Sequence, residues 1–274
     1  MGGSKRRRLD ELCVARGLFD DAGQASRAIH AGEVYVGDEP VYARAARIDR
    51  DAPIRVRTRG RFVSRGGEKL LGALEAFSLD VSGLSCLDAG ASTGGFTDCL
   101  LQRGAASVCA VDVGYGQFAW SLRCDERVTL FERTNINALS CSDAGGPFDL
   151  AVADISFAPL RSYLDAVCSL LKPDGSFVTL VKPQFEVARR DVGPGGIVSD
   201  ERLHRQVLDS ALESFRVAGL TPCGLAVSTI WGARGNIEFL LLGARGSATS
   251  ADRHEVGVGE VATVVVSAHN RVAG

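Results

Sequence analysis

The chain has no run of about 20 apolar residues, the length a helix needs to cross a bilayer, so no membrane span is expected among its 274 residues. Its basic start, MGGSKRRRLDEL, is not followed by the apolar stretch and small-residue cleavage site of a secretory signal. The expectation is therefore a cytoplasmic protein. None of the eight cysteines belongs to a CxxC pair, so neither a zinc site nor a thioredoxin-like centre is suggested, and no metal is expected. Cys86, Cys109 and Cys168 lie in apolar runs and read as reduced core residues. The hydrophobic fraction, 46%, is ordinary for globular proteins. The length accommodates one large domain and one small one.

The net charge of −2 hides an uneven split. Residues 1–66 carry 14 Lys and Arg against 9 Asp and Glu, and the rest carry 17 against 24. A basic end on an acidic chain suggests contact with a polyanion. On charge alone, a solvated face is an equally good reading.

Arg8 to Arg16 (RLDELCVAR) reads as a short amphipathic helix with Leu9, Leu12 and Cys13 on one face. Gly17 is placed to end it. Asp20 or Asp21 can cap a second helix running to about His30. Val34-Tyr35-Val36 reads as a strand, Gly37-Asp38 as a turn, and Ile54 to Arg57 as another strand. A unit of this size buries little core and is marginal alone. Its segments RLDELCVARGLFDDAGQASRAIHAGEVYVGDEPV and DAPIRV resemble the S4 domain, a small RNA-binding module. That resemblance implies that the second helix and the following turn lie on RNA. It makes Arg6, Arg7, Arg8 and Arg27 candidate phosphate contacts, with Arg65 beyond them. Arginine suits that role because its planar fork meets phosphate oxygens in two parallel bonds.

From Leu84 onward apolar runs alternate with helical stretches. The runs are SCLDAG, VCAVDV, VTLFE, FDLAVADIS, FVTLVK, GLAVSTI and IEFLLLG. Near-continuous apolar strands alternating with helices predict a mostly parallel seven-stranded sheet covered on both faces, an α/β fold of Rossmann-like type. Only WGARGN separates the last two runs, which suits an antiparallel end strand. Four parts are expected: a module over residues 5–60, a connector over 61–64, a large domain over 65–246, and a tail over 247–274 with no assigned order.

Leu87 to Phe96 (LDAGASTGGF) joins a strand to a helix. Glycine there permits a tight turn and close approach of a ligand. The spacing is not GxGxxG, so a dinucleotide is not the natural ligand. A DxGxxxG loop matches the S-adenosylmethionine loop of class I methyltransferases. Asp88, Gly90, Ala91, Ser92, Gly94 and Phe96 are its candidate residues. Asp112 ends the second run, 24 residues after Asp88, where Rossmann-like folds bind ribose hydroxyls. Val113 beside it and Asn135 after the third run complete the candidate cofactor set.

Four charged residues are conspicuous. Lys69 begins the helix EKLLGALEAF, Asp154 ends FDLAVAD, Lys182 ends FVTLVK, and Glu238 interrupts NIEFLLL. Unpaired charge at apolar strands is costly. Together the four could neutralise one another at the strand-end cleft where open parallel sheets bind ligands. Singly, each is as readily a structural ion pair.

Lys, Asp, Lys and Glu in this order, after a DAGASTGGF loop, resemble the catalytic tetrad of FtsJ-like ribose 2′-O-methyltransferases. With the S4-like start, the chain is similar to the TlyA (hemolysin A) family of ribosomal RNA methyltransferases. SRGGEKL, VDVGYGQFAWSLR, ERTNI, VADISF, LVKPQFE, VGPGGIV and GNIEFLL carry the likeness, over about residues 5–245. Phe62 stands where tryptophan is expected, and the tail beyond Arg245 matches nothing named. The resemblance implies methyl transfer from S-adenosylmethionine to cytidine 2′-hydroxyls of 16S or 23S ribosomal RNA, by a monomer with no membrane partner. Within the tetrad it implies Lys182 as proton acceptor or hydroxyl-orienting group. Asp154 would position Lys182, and Lys69 and Glu238 would hold the ribose. Three rivals are weighed: a non-catalytic ribosome-binding protein, a membrane-active hemolysin, and a pseudouridine synthase. The intact loop and tetrad argue against the first and third. The lack of a long apolar or convincing amphipathic segment argues against the second.

Overall fold

The structure is a computed structural model that describes residues 6–56, 60–246 and 254–273. Arg57, read as the end of a strand, lies outside the described residues. The chain divides into two compact units, residues 1–60 and 61–274.

The first unit contains strand β1 (Arg6–Arg8), helices α1 (Leu9–Ala15) and α2 (Ala22–His30), and strands β2 (Val34–Val36), β3 (Glu39–Pro40), β4 (Arg47–Asp49) and β5 (Ile54–Val56). The Asp21 side chain accepts a 2.8 Å hydrogen bond from the Gln24 N–H, satisfying one of the donors a helix start leaves unpaired. Gly17, at φ +67°, follows α1, a backbone conformation that favours glycine. Leu9, Cys13, Ala25, Ala28, Ile29 and Val34 form a small core. The Arg6–Arg8 run, which carries no strand signal, pairs antiparallel with β4. β2 is central in a three-stranded sheet of order β3-β2-β5.

The second unit opens with α3 (Gly66–Ala76), β6 (Ser85–Ala89), α4 (Gly95–Gln102), β7 (Ser107–Val111), α5 (Trp120–Arg123), β8 (Val128–Phe131) and α6 (Cys141–Ala144). It continues with β9 (Phe148–Ala153), α7 (Leu164–Ser169), β10 (Leu171–Val181), α8 (Pro183–Glu186), α9 (Glu201–Val217), β11 (Thr221–Val227), β12 (Phe239–Ala244) and α10 (Val258–Ala273). The seven strands follow the order β11-β12-β10-β9-β6-β7-β8, which is the expected mostly parallel sheet.

Side chains on a strand alternate between its faces. Leu87, Cys109, Ala151, Phe177 and Leu241 point to one face, under α7, α9 and α10. Their neighbours Cys86, Val108, Leu150, Val178 and Leu240 point to the other, under α3 and α4. Both faces are therefore apolar, as the continuous runs require.

Two expectations need correction. The antiparallel strand is not at the sheet's end: β12 lies between β10 and β11 and pairs antiparallel with both. That leaves β11 as the edge. Glu238 does not interrupt a strand, because β12 begins one residue later, at Phe239. The segment VATVVV lies in α10, although its valines favour strands. Val261, Val265 and Ala268 recur on one helical face and are buried against the α9 side of the core, so packing overrides propensity.

Candidate active site

The sheet topology brings the charged residues together. β6, β9 and β10 are parallel neighbours, so the segments that follow them leave from the same edge. β12 runs the opposite way, and Val181 pairs with Phe239. Its start therefore meets the end of β10, which sets Glu238 beside Lys182. Lys69 enters from the first turn of α3.

The result is an alternating array of charge. Lys69 Nζ lies 2.5 Å from Glu238 Oε2 and 3.9 Å from Asp154 Oδ2. Lys182 Nζ lies 2.5 Å from Asp154 Oδ1, and it donates to Ser156 Oγ at 2.8 Å. Lys69, Lys182 and Glu238 are 8%, 6% and 3% exposed. Charges so buried are tolerable because they are paired. Two ammonium groups and two carboxylates also leave the array formally neutral.

Two cavities meet here. The first, of about 480 Å³, is lined by Lys69, Asp154, Lys182 and Glu238 together with Arg65, Ala91, Ser92, Phe96, Phe157, Gln184 and Phe185. The second, of about 430 Å³, is lined by Ser92, Asp112, Val113, Asn135, Ile136, Ile155 and Tyr163. Gly90, Ser92, Asp154, Ser156 and Phe157 border both, so each opens on Asp154. Gly90 keeps the junction clear. At φ +83°, a Cβ there would stand 2.9 Å from Ile155 Cγ1 and 3.3 Å from the Asp154 carbonyl.

The second cavity fits S-adenosylmethionine. Its volume is in the range of small-molecule pockets. Asp112 stands at one end, where Oδ2 accepts from the Ser92 N–H at 2.7 Å and Oδ1 from the Gly114 N–H at 2.6 Å. An ionised carboxylate has further lone pairs for a ribose diol. Asn135 Oδ1 accepts from the Asn137 N–H at 3.0 Å and so holds the turn that borders this cavity. Asp154, which borders both cavities, would offer a carboxylate to the sulfonium's positive charge.

Several expected residues occupy other places. Asp88 is fully buried and borders neither cavity. It accepts from the Thr97 N–H at 2.9 Å and the Thr97 hydroxyl at 2.6 Å, so it anchors the start of α4 and supports the loop from below. Burial pushes its carboxyl up to about 7, against the Thr97 hydrogen bonds and with Asp154 and Asp112 adding to the rise. Gly94, at φ +92°, supplies the left-handed turn before α4 and borders neither cavity.

Among the basic residues, Arg8 is committed to its own unit: Nη2 donates to Asp10 Oδ2 at 2.7 Å and Nε to Oδ1 at 3.1 Å. Arg6, Arg7, Arg27 and Arg65 are exposed. The reading from sequence missed Ser156, Phe157, Gln184 and Phe185. Phe157 is 90% exposed at φ +65°, with its ring 5.1 Å from that of Phe185. Their signals were position, shortly after Asp154 and Lys182, and membership of the family-like segments VADISF and LVKPQFE.

The sequence profile of the FtsJ-like methyltransferase family matches residues 62–245. A Mycobacterium tuberculosis protein named 16S/23S rRNA (cytidine-2'-O)-methyltransferase TlyA is 45% identical over 240 residues, covering 87% of this chain and 90% of its own length. Hemolysin A of Brachyspira hyodysenteriae is 38% identical, over 85% of this chain and 98% of its own. A solved structure from Streptococcus thermophilus, described as a hemolysin, superposes with a TM-score of 0.73 at 37% identity, covering 99% of this chain and 98% of that one.

Proposed function

The chain belongs to the FtsJ-like methyltransferase family, and on that premise we propose that it methylates cytidine 2′-hydroxyls of 16S or 23S ribosomal RNA. The observation that carries this reading is the Glu238–Lys69–Asp154–Lys182 array at the junction of the two cavities. The second cavity takes S-adenosylmethionine, and the first takes the acceptor nucleotide.

When bound, S-adenosylmethionine supplies an electrophilic methyl group. The protein's task is to present a ribose hydroxyl, a weak nucleophile, in line with it and to manage its proton. Lys182 can do both. Asp154 and Ser156 hold its Nζ, so it can orient the 2′-oxygen, and after releasing a proton to solvent the amine can accept the hydroxyl proton as the oxygen is methylated. Lys69, held by Glu238, gives the ribose a second donor. Arg65, at the rim of the first cavity, is placed for a phosphate.

The first unit supplies further RNA contacts in this proposal, through Arg6, Arg7 and Arg27, in the manner its S4 resemblance implies. Arg8 is better assigned to holding α1. The enzyme acts in the cytoplasm on ribosomal subunits, as a monomer. The Brachyspira relative's name suggests membrane activity for that protein; among the described residues, no helix is long and apolar enough to cross a membrane. Mass mapping of ribosomal RNA from cells with and without the gene tests the proposal. A cytidine ribose methyl present only with the gene is expected, and identical maps would refute it.

A further inference from the structure

The Lys69–Glu238 pair joins two elements far apart in sequence: Lys69 is held in α3, whereas Glu238 lies outside regular structure. Glu238 precedes β12, so only its C-terminal side is held in the sheet. The segment before it, residues 228–238, joins β11 to β12. This is much longer than the two-residue turn that suffices for a hairpin. A loop of that length would leave Glu238 poorly placed unless it had structure of its own.

It has that structure. Ser228 N–H donates to the Glu238 carbonyl at 2.9 Å, Gly232 N–H to the Asn236 carbonyl at 2.9 Å, and Gly235 N–H to the Gly232 carbonyl at 3.1 Å. The Asn236 side chain, 2% exposed, ties the segment to its neighbour. Its Oδ1 accepts from the Val198 N–H at 3.0 Å, and its Nδ2 donates to the Gly196 carbonyl at 2.9 Å. Gly232 lies flat against the Glu238 side chain. A Cβ there would stand 2.5 Å from Glu238 Cδ and 2.9 Å from Cγ, so a larger residue would push the carboxylate aside. At its other end the segment reaches α3. The Thr229 hydroxyl donates to the Glu68 carbonyl at 3.2 Å, one residue before Lys69.

One segment therefore packs on the Glu238 carboxylate and is tied to the residue before Lys69. We propose that residues 228–238 are a brace that sets the Lys69–Glu238 geometry, with Gly232 and Asn236 as positioning residues for methyl transfer. Gly232 acts by the side chain it lacks, which lets the carboxylate lie over its backbone and reach Lys69. Asn236 acts by pinning the loop to the 196–198 segment. The inference rests on the proposed role of Lys69 and Glu238 in catalysis.

The test is a double-mutant cycle on the single-turnover rate of methyl transfer to ribosomal RNA. Glu238→Gln removes the charge that Gly232 is argued to place. Gly232→Ala should slow transfer by on the order of a hundredfold, the cost of a displaced group near the chemistry. S-adenosylmethionine affinity and RNA affinity should stay within about twofold of the parent. Gly232→Ala combined with Glu238→Gln should be no slower than Glu238→Gln alone, since coupled residues are not additive. Asn236→Ala should behave in the same way, and it decides the matter should Gly232→Ala lose cofactor binding through misfolding. Effects that multiply with Glu238→Gln, or Gly232→Ala at the parental rate beside a slow Glu238→Gln, would overturn the brace. Full activity of Glu238→Gln itself would instead overturn the catalytic reading beneath it.

Discussion

Replacing Asp112 with alanine should weaken S-adenosylmethionine binding while leaving the sheet folded. Asp112 lies just beyond β7 and is half-buried, so no core packing is lost. Its two oxygens accept from the Ser92 and Gly114 N–H groups at 2.7 and 2.6 Å, and among the described residues they are the only carboxylate at that end of the second cavity. A hydrogen bond to a charged group contributes about 1.5–3 kcal/mol. Losing one such bond to the ribose corresponds to roughly a ten- to hundredfold rise in Kd. Freed Ser92 and Gly114 N–H groups can turn to water, so the loop should relax rather than unfold. Asp112→Asn should fall between parent and alanine, because its amide keeps one acceptor oxygen. Titration calorimetry measures the affinity, and thermal melting without ligand checks the fold. An unchanged Kd in a folded alanine variant would refute the ribose assignment.

A chain beginning near Gly60 should keep cofactor binding and lose most RNA affinity, and RNA binding by the whole protein should weaken with salt as released counterions require. Affinity that survives the truncation and ignores salt would contradict this. Stability should fall on acidification through His204. It is fully buried, with Nδ1 2.9 Å from His269 Nε2 and Nε2 donating to the Val198 carbonyl at 3.0 Å. Burial first, then His269, lowers its pKa to about 4, opposed by the Val198 carbonyl, Asp200 and Glu201. Its contribution is thus complete above the unfolded value near 6.5 and is lost as pH falls toward 4. That amounts to roughly 3 kcal/mol for this one group. Chemical denaturation should show a shallower loss for His204→Gln over that pH window, and parallel curves would rule the histidine out.

The sheet was legible because each strand is apolar on both faces, so the pattern survives without any partner. The meeting of four charges was legible for the opposite reason: Lys69, Asp154, Lys182 and Glu238 are charges in or beside apolar runs. Strand order was less so. Nothing local in FLLLGA distinguishes an edge strand from one inserted between β10 and β11, since that depends on long-range pairing. The role of Asp88 was misread for a related reason. Its place in the loop motif suggests a ligand contact, while its hydrogen bonds to Thr97 place it below the loop. Arg8 counted as basic surface, although Asp10 two residues on accepts its guanidinium. Ser156, Phe157 and Phe185 lie in the family-like segments VADISF and LVKPQFE but are neither charged nor placed by a spacing rule, and only the convergence of the loops after β9 and β10 brings them to the cavity.

The central claim is that Lys182 acts on the 2′-hydroxyl during transfer. Its most direct test is the transfer of labelled methyl from S-adenosylmethionine to ribosomal RNA by Lys182→Ala and Lys182→Arg. Both variants should bind RNA almost as the parent does, since a contact made mainly in the transition state governs rate rather than binding. Both should be nearly inactive, because alanine removes the amine, and a guanidinium keeps the charge but cannot give up its proton at neutral pH. Arginine restoring most of the rate would show that a fixed positive charge suffices, which contradicts the proton-accepting role. Full transfer by Lys182→Ala would contradict the catalytic site itself.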